Sequence, residues 1–391
     1  AYRNNGDGTF AEVADEMGDF AAGLNSSLAL AALDRDGDLD LYVVRYLKTI
    51  GVCRDQHGKI VTCHPSVFEA EQDLLYENRD DGRFVDVTDV CGIKVPDGKG
   101  LGVVISDLDN DQWPDIYVAN DTTPNFLFHN LGGQPQSEAG SRFRFEECGL
   151  PAGCALSGDG QAQAGMGIAC GDLDGNGYLD LYVTNFELET NALYLNQGNL
   201  IFVASMKPTS LVAATGPLLG FGTQSIDVDL DGHLDLFVTN GHIDDFREQD
   251  SQVMWKMPAK LYQNYGDLRF SDVSETAGRF FAGNYLGRGA ARLDWNRDAR
   301  PDIVVVHQND PVALLQNTTR TSARRIVVDC VGTSSNRDAI NTRLSVVAGG
   351  QTRVLEISGG DGYLACNERR QVIGLGDNDQ LESLEVSWTS G

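Results

Sequence analysis

The stretch ISDLDNDQWPDIYVAN, residues 105–120, sets carboxylates at Asp107, Asp109, Asp111 and Asp115 in one turn between two apolar runs. Two unit charges about 4 Å apart repel by roughly 4 kcal/mol at an effective dielectric near 20, so such a turn settles only around a cation. Oxygen-only donors at alternate positions suit a hard ion, and a flexible loop offering about six to eight of them suits Ca2+ better than octahedral Mg2+. In the pattern D-x-[DN]-x-[DN]-x-x-x-D, side chains at positions 1, 3 and 5, the carbonyl of position 7 and the Asp of position 9 form the expected shell. For the quoted turn these are Asp107, Asp109, Asp111, Trp113 and Asp115. The opening half resembles an EF-hand loop, but its flanks read as strands and its closing acid arrives at position 9 rather than as a Glu at position 12.

The turn recurs four times. DLDGNGYLD offers Asp172, Asp174, Asn176, Tyr178 and Asp180, and DVDLDGHLD offers Asp227, Asp229, Asp231, His233 and Asp235. ALDRDGDLD has Ala32 at position 1 and keeps Asp34, Asp36, Asp38 and Asp40. DWNRDARPD offers Asp294, Asn296, Asp298, Arg300 and Asp302, with an amide for one acid and an arginine at the carbonyl position. Up to five Ca2+ sites are expected, the first and last of them weaker.

The elements that must position these turns follow from their spacing. The closing aspartates fall at 40, 115, 180, 235 and 302, and a segment ending in an aromatic or aliphatic residue, any residue and Asn follows each turn, as in LLYEN, FLFHN, LYLN, LYQN and LLQN. Each unit reads as four short antiparallel strands, and tandem units of that kind form a β-propeller. Five units are visible, with YRNNGDGTFAEVA as part of another, and an intact ring is expected to need six or seven. The expected fold is all-β: a propeller over residues 1–320 and a separate C-terminal β domain over 321–391, expected to unfold independently of calcium. One short helix is expected within SQVMWKMPAK, residues 251–260.

The 391 residues carry 57 Asp and Glu against 30 Lys and Arg, a formal charge of −27 that disfavours nucleic acid and anionic lipid and favours cations. No apolar run reaches the length of a membrane span. The eight cysteines lack zinc spacing and read as disulfides of an oxidising compartment, paired by proximity and shared domain as Cys53–Cys63, Cys148–Cys154 and Cys330–Cys366, with Cys91–Cys170 as the remainder.

The loop and strand DLDNDQWPDIYVAN resemble the FG-GAP/VCBS repeats of integrin-like propellers. YVANDTTPNFLFHN, TNGHI, GRGAARLDWNRDARPDIVVV and the C-terminal SSNRDAINTRLSVVAGG, GGDGYLACNERRQVIGLG and LEVSWTSG resemble the ASPIC/UnbV (cartilage acidic protein-like) family. That family usually has Gly-Ala where this chain has Asn341 and Thr342. The resemblance implies calcium ligation at the turns and a secreted or cell-surface acidic protein, with a periplasmic place also open, and it assigns no reaction.

The function expected is a binding or scaffold module for extracellular protein or glycan, or a subunit of a surface assembly. The alternative is a polysaccharide-active or redox enzyme working at the mouth of the propeller channel. His242, near Asp244 and Asp245, and His64, beside Cys63, could be drawn as acid/base groups, but the six histidines share no ligand spacing and no nucleophile elbow is present. Tyr46, Trp113 and Trp255 could stack on sugars, although aromatics in a blade more often pack.

Overall fold

The computed structural model describes residues 2–79, 82–133, 141–205, 211, 214–247 and 253–390. Each acidic turn reverses the chain between two β-branched and aromatic runs, and in every blade the position 9 aspartate is the first paired residue of the second strand. Blade 1 comprises Asn25–Ala31, Asp40–Arg45, Leu74–Asn78 and Phe84–Asp86. Blade 2 comprises Gly100–Ser106, Asp115–Asn120, Phe126–Asn130 and Phe145–Glu147. Blade 3 comprises Ile168–Gly171, Asp180–Val183, Ala192–Asn196 and Phe202–Ala204. Blade 4 comprises Gly220–Ile226, Asp235–Asn240, Lys260–Asn264 and Phe270–Asp272.

Blade 5 departs from the expected four strands. It holds Gly287–Leu293, Asp302–His307 and Ala313–Leu315, after which QNTTRTSA leads away, because no alternating apolar segment follows Leu315. The N-terminal strands Tyr2–Asn4 and Phe10–Glu12 pair as a two-stranded sheet. Among the described residues of the fourth-blade insertion, 253–260 form bridges and a strand start rather than the expected helix, Met257 pairing with Tyr285; the remainder of that expectation falls on residues 251 and 252, outside the described ones.

Successive inner strands lie side by side from blade 1 to blade 5, whereas those of blades 5 and 1 do not. The crowding is tight: a Cβ on Gly102 of blade 2 would stand 2.2 Å from the Met166 carbonyl beside blade 3. Apolar layers between neighbouring blades form the core. Tyr42, Tyr117 and Tyr182, fully buried at equivalent places, still satisfy their hydroxyls, which bond Asp73 (2.8 Å), the Cys154 carbonyl (2.8 Å) and the Asn191 amide (2.9 Å).

Cys53 and Cys63 are bonded, with Cα atoms 5.0 Å apart, across the hairpin Val52–Arg54 and Ile60–Thr62. This hairpin leaves blade 1 and reaches blade 4, where Thr62 bonds the Asp244 carboxylate and Lys59 the Asp245 carbonyl. The other three expected disulfides do not form. Cys91 lies in the layer between blades 1 and 2, whereas Cys170 lies on the inner strand of blade 3. Cys148 and Cys154 flank the helical turn Gly149–Ala152, and the Cys154 thiol is turned to the Gly149 carbonyl at 3.8 Å. Cys330 borders the small C-terminal core, whereas Cys366 is exposed. Nearness in sequence misled here, since only a hairpin brings such neighbours into register.

The C-terminal region has its own sheets, Arg324–Val328 with Gln371–Gly376, and Gln351–Glu356, Arg343–Ala348 and Ser383–Ser387 together. It also packs against the propeller. Residues 357–370 run along the propeller axis and meet the inner strand of every blade. Gly359 exchanges two backbone hydrogen bonds with Ile105 (2.7 and 3.0 Å), and Gly362 two with Ile168 (2.9 and 2.7 Å). Gly359 abuts the Leu30 carbonyl, Asn367 bonds Gln224 (2.8 Å), and Glu368 N–H donates to the Arg292 carbonyl (3.1 Å). The lumen is occupied by the chain itself.

Gly360 makes this coupling testable. Its φ of +74° is left-handed, and an added Cβ would stand 2.6 Å from the Val103 carbonyl of blade 2. Left-handed geometry alone costs a side chain about 1–2 kcal/mol, before the clash. Gly360→Ala, though in the C-terminal region, should lower the melting temperature of the propeller by several degrees in calorimetry; a shift confined to a separate C-terminal transition would show the two parts to be uncoupled.

Candidate metal centres

In all five turns positions 4 and 6 are left-handed: Arg35 and Gly37, Asn110 and Gln112, Gly175 and Gly177, Leu230 and Gly232, Arg297 and Ala299. That alternation turns successive odd-numbered side chains to one side. Position 5 then caps position 7, as when Asp111 accepts from Trp113 N–H, Asn176 from Tyr178 N–H and Asp231 from His233 N–H, each at 2.8 Å. Position 1 accepts from position 6, as Asp107 does from Gln112 N–H (2.9 Å) and Asp172 and Asp227 do from Gly177 and Gly232 N–H (3.0 Å each).

Position 9 does more than close a shell. Asp40, Asp115, Asp180, Asp235 and Asp302 are all 0% exposed. One oxygen of each takes the position 2 N–H (Leu33, Leu108, Leu173, Val228, Trp295) at 2.9–3.1 Å. The other takes the N–H of the asparagine ending the third strand (Asn78, Asn130, Asn196, Asn264, Asn317) at 2.6–2.9 Å. The last four of those asparagines also reach the blade before, while Asn78 Nδ2 donates to the Leu39 carbonyl of its own turn (3.2 Å). Asn130 Nδ2 donates to the Leu33 carbonyl (3.0 Å), Asn196 to Leu108 (2.7 Å), Asn264 to Leu173 (3.0 Å) and Asn317 to Val228 (2.8 Å).

Carboxylate oxygens converge within 4.8 Å of one another in three turns: Asp107, Asp109 and Asp115; Asp172, Asp174 and Asp180; Asp227, Asp229 and Asp235. Burial, with neighbouring carboxylates adding to it, pushes Asp109 up to about 7, and burial pushes Asp172 to about 6, Asp180 to about 8 and Asp227 to about 7. The buried Oδ1 atoms of Asp172 and Asp227 have no hydrogen-bond partner among the described residues. Such oxygens suit a hard cation. Asn176 is drawn aside, its Nδ2 donating to the Asn196 carbonyl (2.8 Å).

The first and fifth turns hold arginines. Arg142, from the segment before the last strand of blade 2, pairs with Asp36 and lies 3.7 Å from Asp34 and 3.6 Å from the buried Glu77. Ala32 leaves position 1 without an acid, and its N–H donates to Asn341 Oδ1 (3.2 Å), while Asn341 Nδ2 donates to the Ile105 carbonyl (2.9 Å) and Glu356 (3.1 Å). Asn341 has φ +63°, a conformation that Gly adopts freely and Asn tolerates. In the fifth turn Arg300 pairs with Asp298, Asn296 Nδ2 donates to Asp298 (2.8 Å), and Arg370 lies 3.7 Å from Asp294.

Two contributors lie outside the acidic pattern. His129 Nδ1 stands 3.0 Å from Asp115 and 3.8 Å from Asp109, and its bond to Asp115 raises its pKa. Gln263 donates to Asp229 at 2.6 Å. Both immediately precede the stitching asparagine, the position free to vary in the repeat, which is the signal that could have found them. Trp113, Tyr178 and His233 pack on Gly132, Gly198 and Gly266, where an added Cβ would come within 3.2, 2.7 and 3.1 Å.

The other expected groups have structural partners. Arg35 lies over Trp113 (5.1 Å) and Arg247 over Trp255 (4.8 Å), while Tyr46 bonds Asp121 (2.5 Å). His242 accepts Asp244 N–H at Nδ1 (2.9 Å), and its Nε2 faces Glu187 (3.3 Å). His64 Nδ1 caps a short turn through Ser66.

Residues 332–391 match the ASPIC and UnbV family, and residues 107–183 and 172–238 match the FG-GAP-like repeat. Cartilage acidic protein 1 of Mus musculus is 26% identical over 312 residues, 75% of this chain and 42% of that one, and its Homo sapiens counterpart is 25% identical over 321 residues, 78% and 43%. The chain thus spans less than half the length of these relatives. A lectin of Agrocybe aegerita that recognises non-reducing terminal N-acetylglucosamine superposes with a TM-score of 0.42 at 15% identity, over 81% of this chain and 74% of that one. An exotype rhamnogalacturonan lyase superposes at 0.34 and 12% identity, over 92% and 57%. At such TM-scores neither likeness bears on function. By these matches residues 107–238 are similar to FG-GAP-like repeats and residues 332–391 to the ASPIC and UnbV family.

Proposed function

We propose that this chain is an extracellular, calcium-stabilised β-propeller that serves as a binding and scaffold module. The observation that carries the proposal is the convergence of buried carboxylates in three successive blades, with orphaned Asp172 and Asp227 oxygens. Bound Ca2+ would neutralise those charges. The chain's own residues supply the rest: alternating backbone hands aim the oxygens, and the position 9 aspartates fix each turn to its sheet. The Cys53–Cys63 bond supports an oxidising compartment. Among the described residues no helix is long and apolar enough to cross a membrane. Partners of this face are protein or glycan, and the module suits a subunit of a larger assembly. The enzyme alternative is less favoured, because residues 357–370 fill the channel and His242 is engaged at both ring nitrogens.

Metal analysis of protein dialysed against calcium should give three ions per chain, not five, since arginines take the cation's place in the first and fifth turns. At millimolar calcium, sites of 10⁻⁴ to 10⁻³ M affinity each add about 0.4–1.4 kcal/mol, so three add about 1–4 kcal/mol. EDTA should lower the melting temperature, and calcium should restore it better than magnesium. An unchanged melt of verified ion-free protein would exclude structural calcium.

The effect should depend on pH. The raised carboxylates bind protons in the folded state that the unfolded chain takes up only near pH 4, so metal-free protein gains stability as pH falls from about 8 to 6. Protons then compete with Ca2+, and the calcium-induced stabilisation should shrink over the same interval in paired melts. A calcium effect that grew toward pH 6 would contradict ligation by these groups.

Arg142→Ala should cost about 1 kcal/mol in urea denaturation with chelator present, by removing the cation that pairs with Asp36 and lies beside Glu77, which keeps its pair with Arg79 (2.8 Å). Arg142→Lys should recover only part, because a point charge cannot span both acids as the guanidinium fork does. Full recovery by lysine would reduce the role of Arg142 to net charge.

A further inference from the structure

A cleft of about 720 Å³ separates the turns of blades 3 and 4 from the C-terminal strand Gln351–Glu356. That volume falls within the range of small-molecule sites, and junctions between domains are common places for them. Its propeller wall carries the metal-turn residues Asp172, Asp174 and Asp227 and, clear of those turns, Asp267, whose carboxylate accepts hydrogen bonds and donates none. The facing wall carries Gln351, Thr352 and Arg353, the last a donor only.

Arg353 is 9% exposed, and its Nε has no hydrogen-bond partner among the described residues. Its Nη2 donates to Gln351 Oε1 at 3.2 Å, which holds the guanidinium against the cleft. Tyr265 stands at the rim, 47% exposed, with its hydroxyl fixed to Gln263 at 2.9 Å.

We propose that this cleft binds a neutral saccharide. A ligand that touches both walls must donate to Asp267 and accept from the arginine. A hydroxyl does both, whereas an ammonium only donates and a carboxylate only accepts. An exposed tyrosine ring at the rim supplies an apolar face with a polar tip, the kind of surface on which a sugar ring rests. The proposal deepens the binding-module reading by naming a ligand class, and it leaves the metal assignments untouched.

The test is calorimetric titration of the full chain in millimolar calcium with maltotriose, cellotriose and mannotriose, with trilysine as the cationic comparison. One trisaccharide should bind with one-to-one stoichiometry, and Tyr265→Ala, a surface change compatible with folding, should weaken it at least tenfold. Arg353→Gln should weaken it similarly. Saturation by none of the three sugars, or tighter binding of trilysine that also requires Tyr265, would overturn the proposal. Sugar binding undiminished in Tyr265→Ala would also overturn it, by placing recognition elsewhere, while the binding-module reading would stand.

Discussion

Everything in the ring depends on the pairing of a buried aspartate with an asparagine one strand away. A carboxylate at 0% exposure is costly unless its oxygens are satisfied, and in each blade both accept backbone N–H groups. The asparagine that supplies one of those N–H groups spends its side chain on the previous blade's turn. One pair of residues therefore fixes the turn to its own sheet and the sheet to its neighbour. Hydrogen bonds of this kind contribute about 1 kcal/mol each net, but losing one partner leaves a buried polar group orphaned and costs more. That asymmetry explains why the two residues recur together while the positions between them drift.

The acidic turns all lie on the face that the C-terminal region covers, which ties metal chemistry to domain packing. The first turn meets Asn341 and, through Arg35, the Thr389 carbonyl (2.8 Å). Asp107 N–H donates to Glu356 in the second, and Arg343 donates to the Gly177 carbonyl (2.6 Å) in the third. Gly376 N–H donates to the Leu230 carbonyl (2.9 Å) in the fourth, and Arg325 to the Asp298 carbonyl (3.1 Å) in the fifth. Carbonyls and N–H groups of the turns, rather than their carboxylates, carry most of this docking. The turns can thus hold cations on one side and the C-terminal region on the other.

The repeat, the blades and the acidic turns were legible in the sequence because each is local: a carboxylate pattern, a strand period and a fixed order. What was not legible crosses between units. Asn196 reads as a turn residue until its amide is seen on Leu108, 88 residues away. Arg142 reads as a surface charge until it lies between Asp36 and Glu77. Ala32 and Arg300 depart from the pattern in the sequence itself, whereas the bond from Ala32 N–H to Asn341, 309 residues away, comes from tertiary placement. Three of the four expected disulfides failed for the same reason, since pairing by sequence distance or by remainder ignores which layer each thiol enters.

The axial segment changes what the fold can be used for. An open channel lined by inner strands could admit a substrate and focus the field of a strongly acidic protein on it. Here residues 357–370 take that space, and Asp361 is pushed up to about 7 by burial, offset by the Arg292 guanidinium. Backbone pairing of Gly359 and Gly362 to blades 2 and 3 makes the segment part of the ring's hydrogen bonding rather than a loose insert. On the proposed reading recognition falls to the periphery, to surfaces where turns of adjacent blades meet the C-terminal strands, and those surfaces are the ones whose shape bound cations would set.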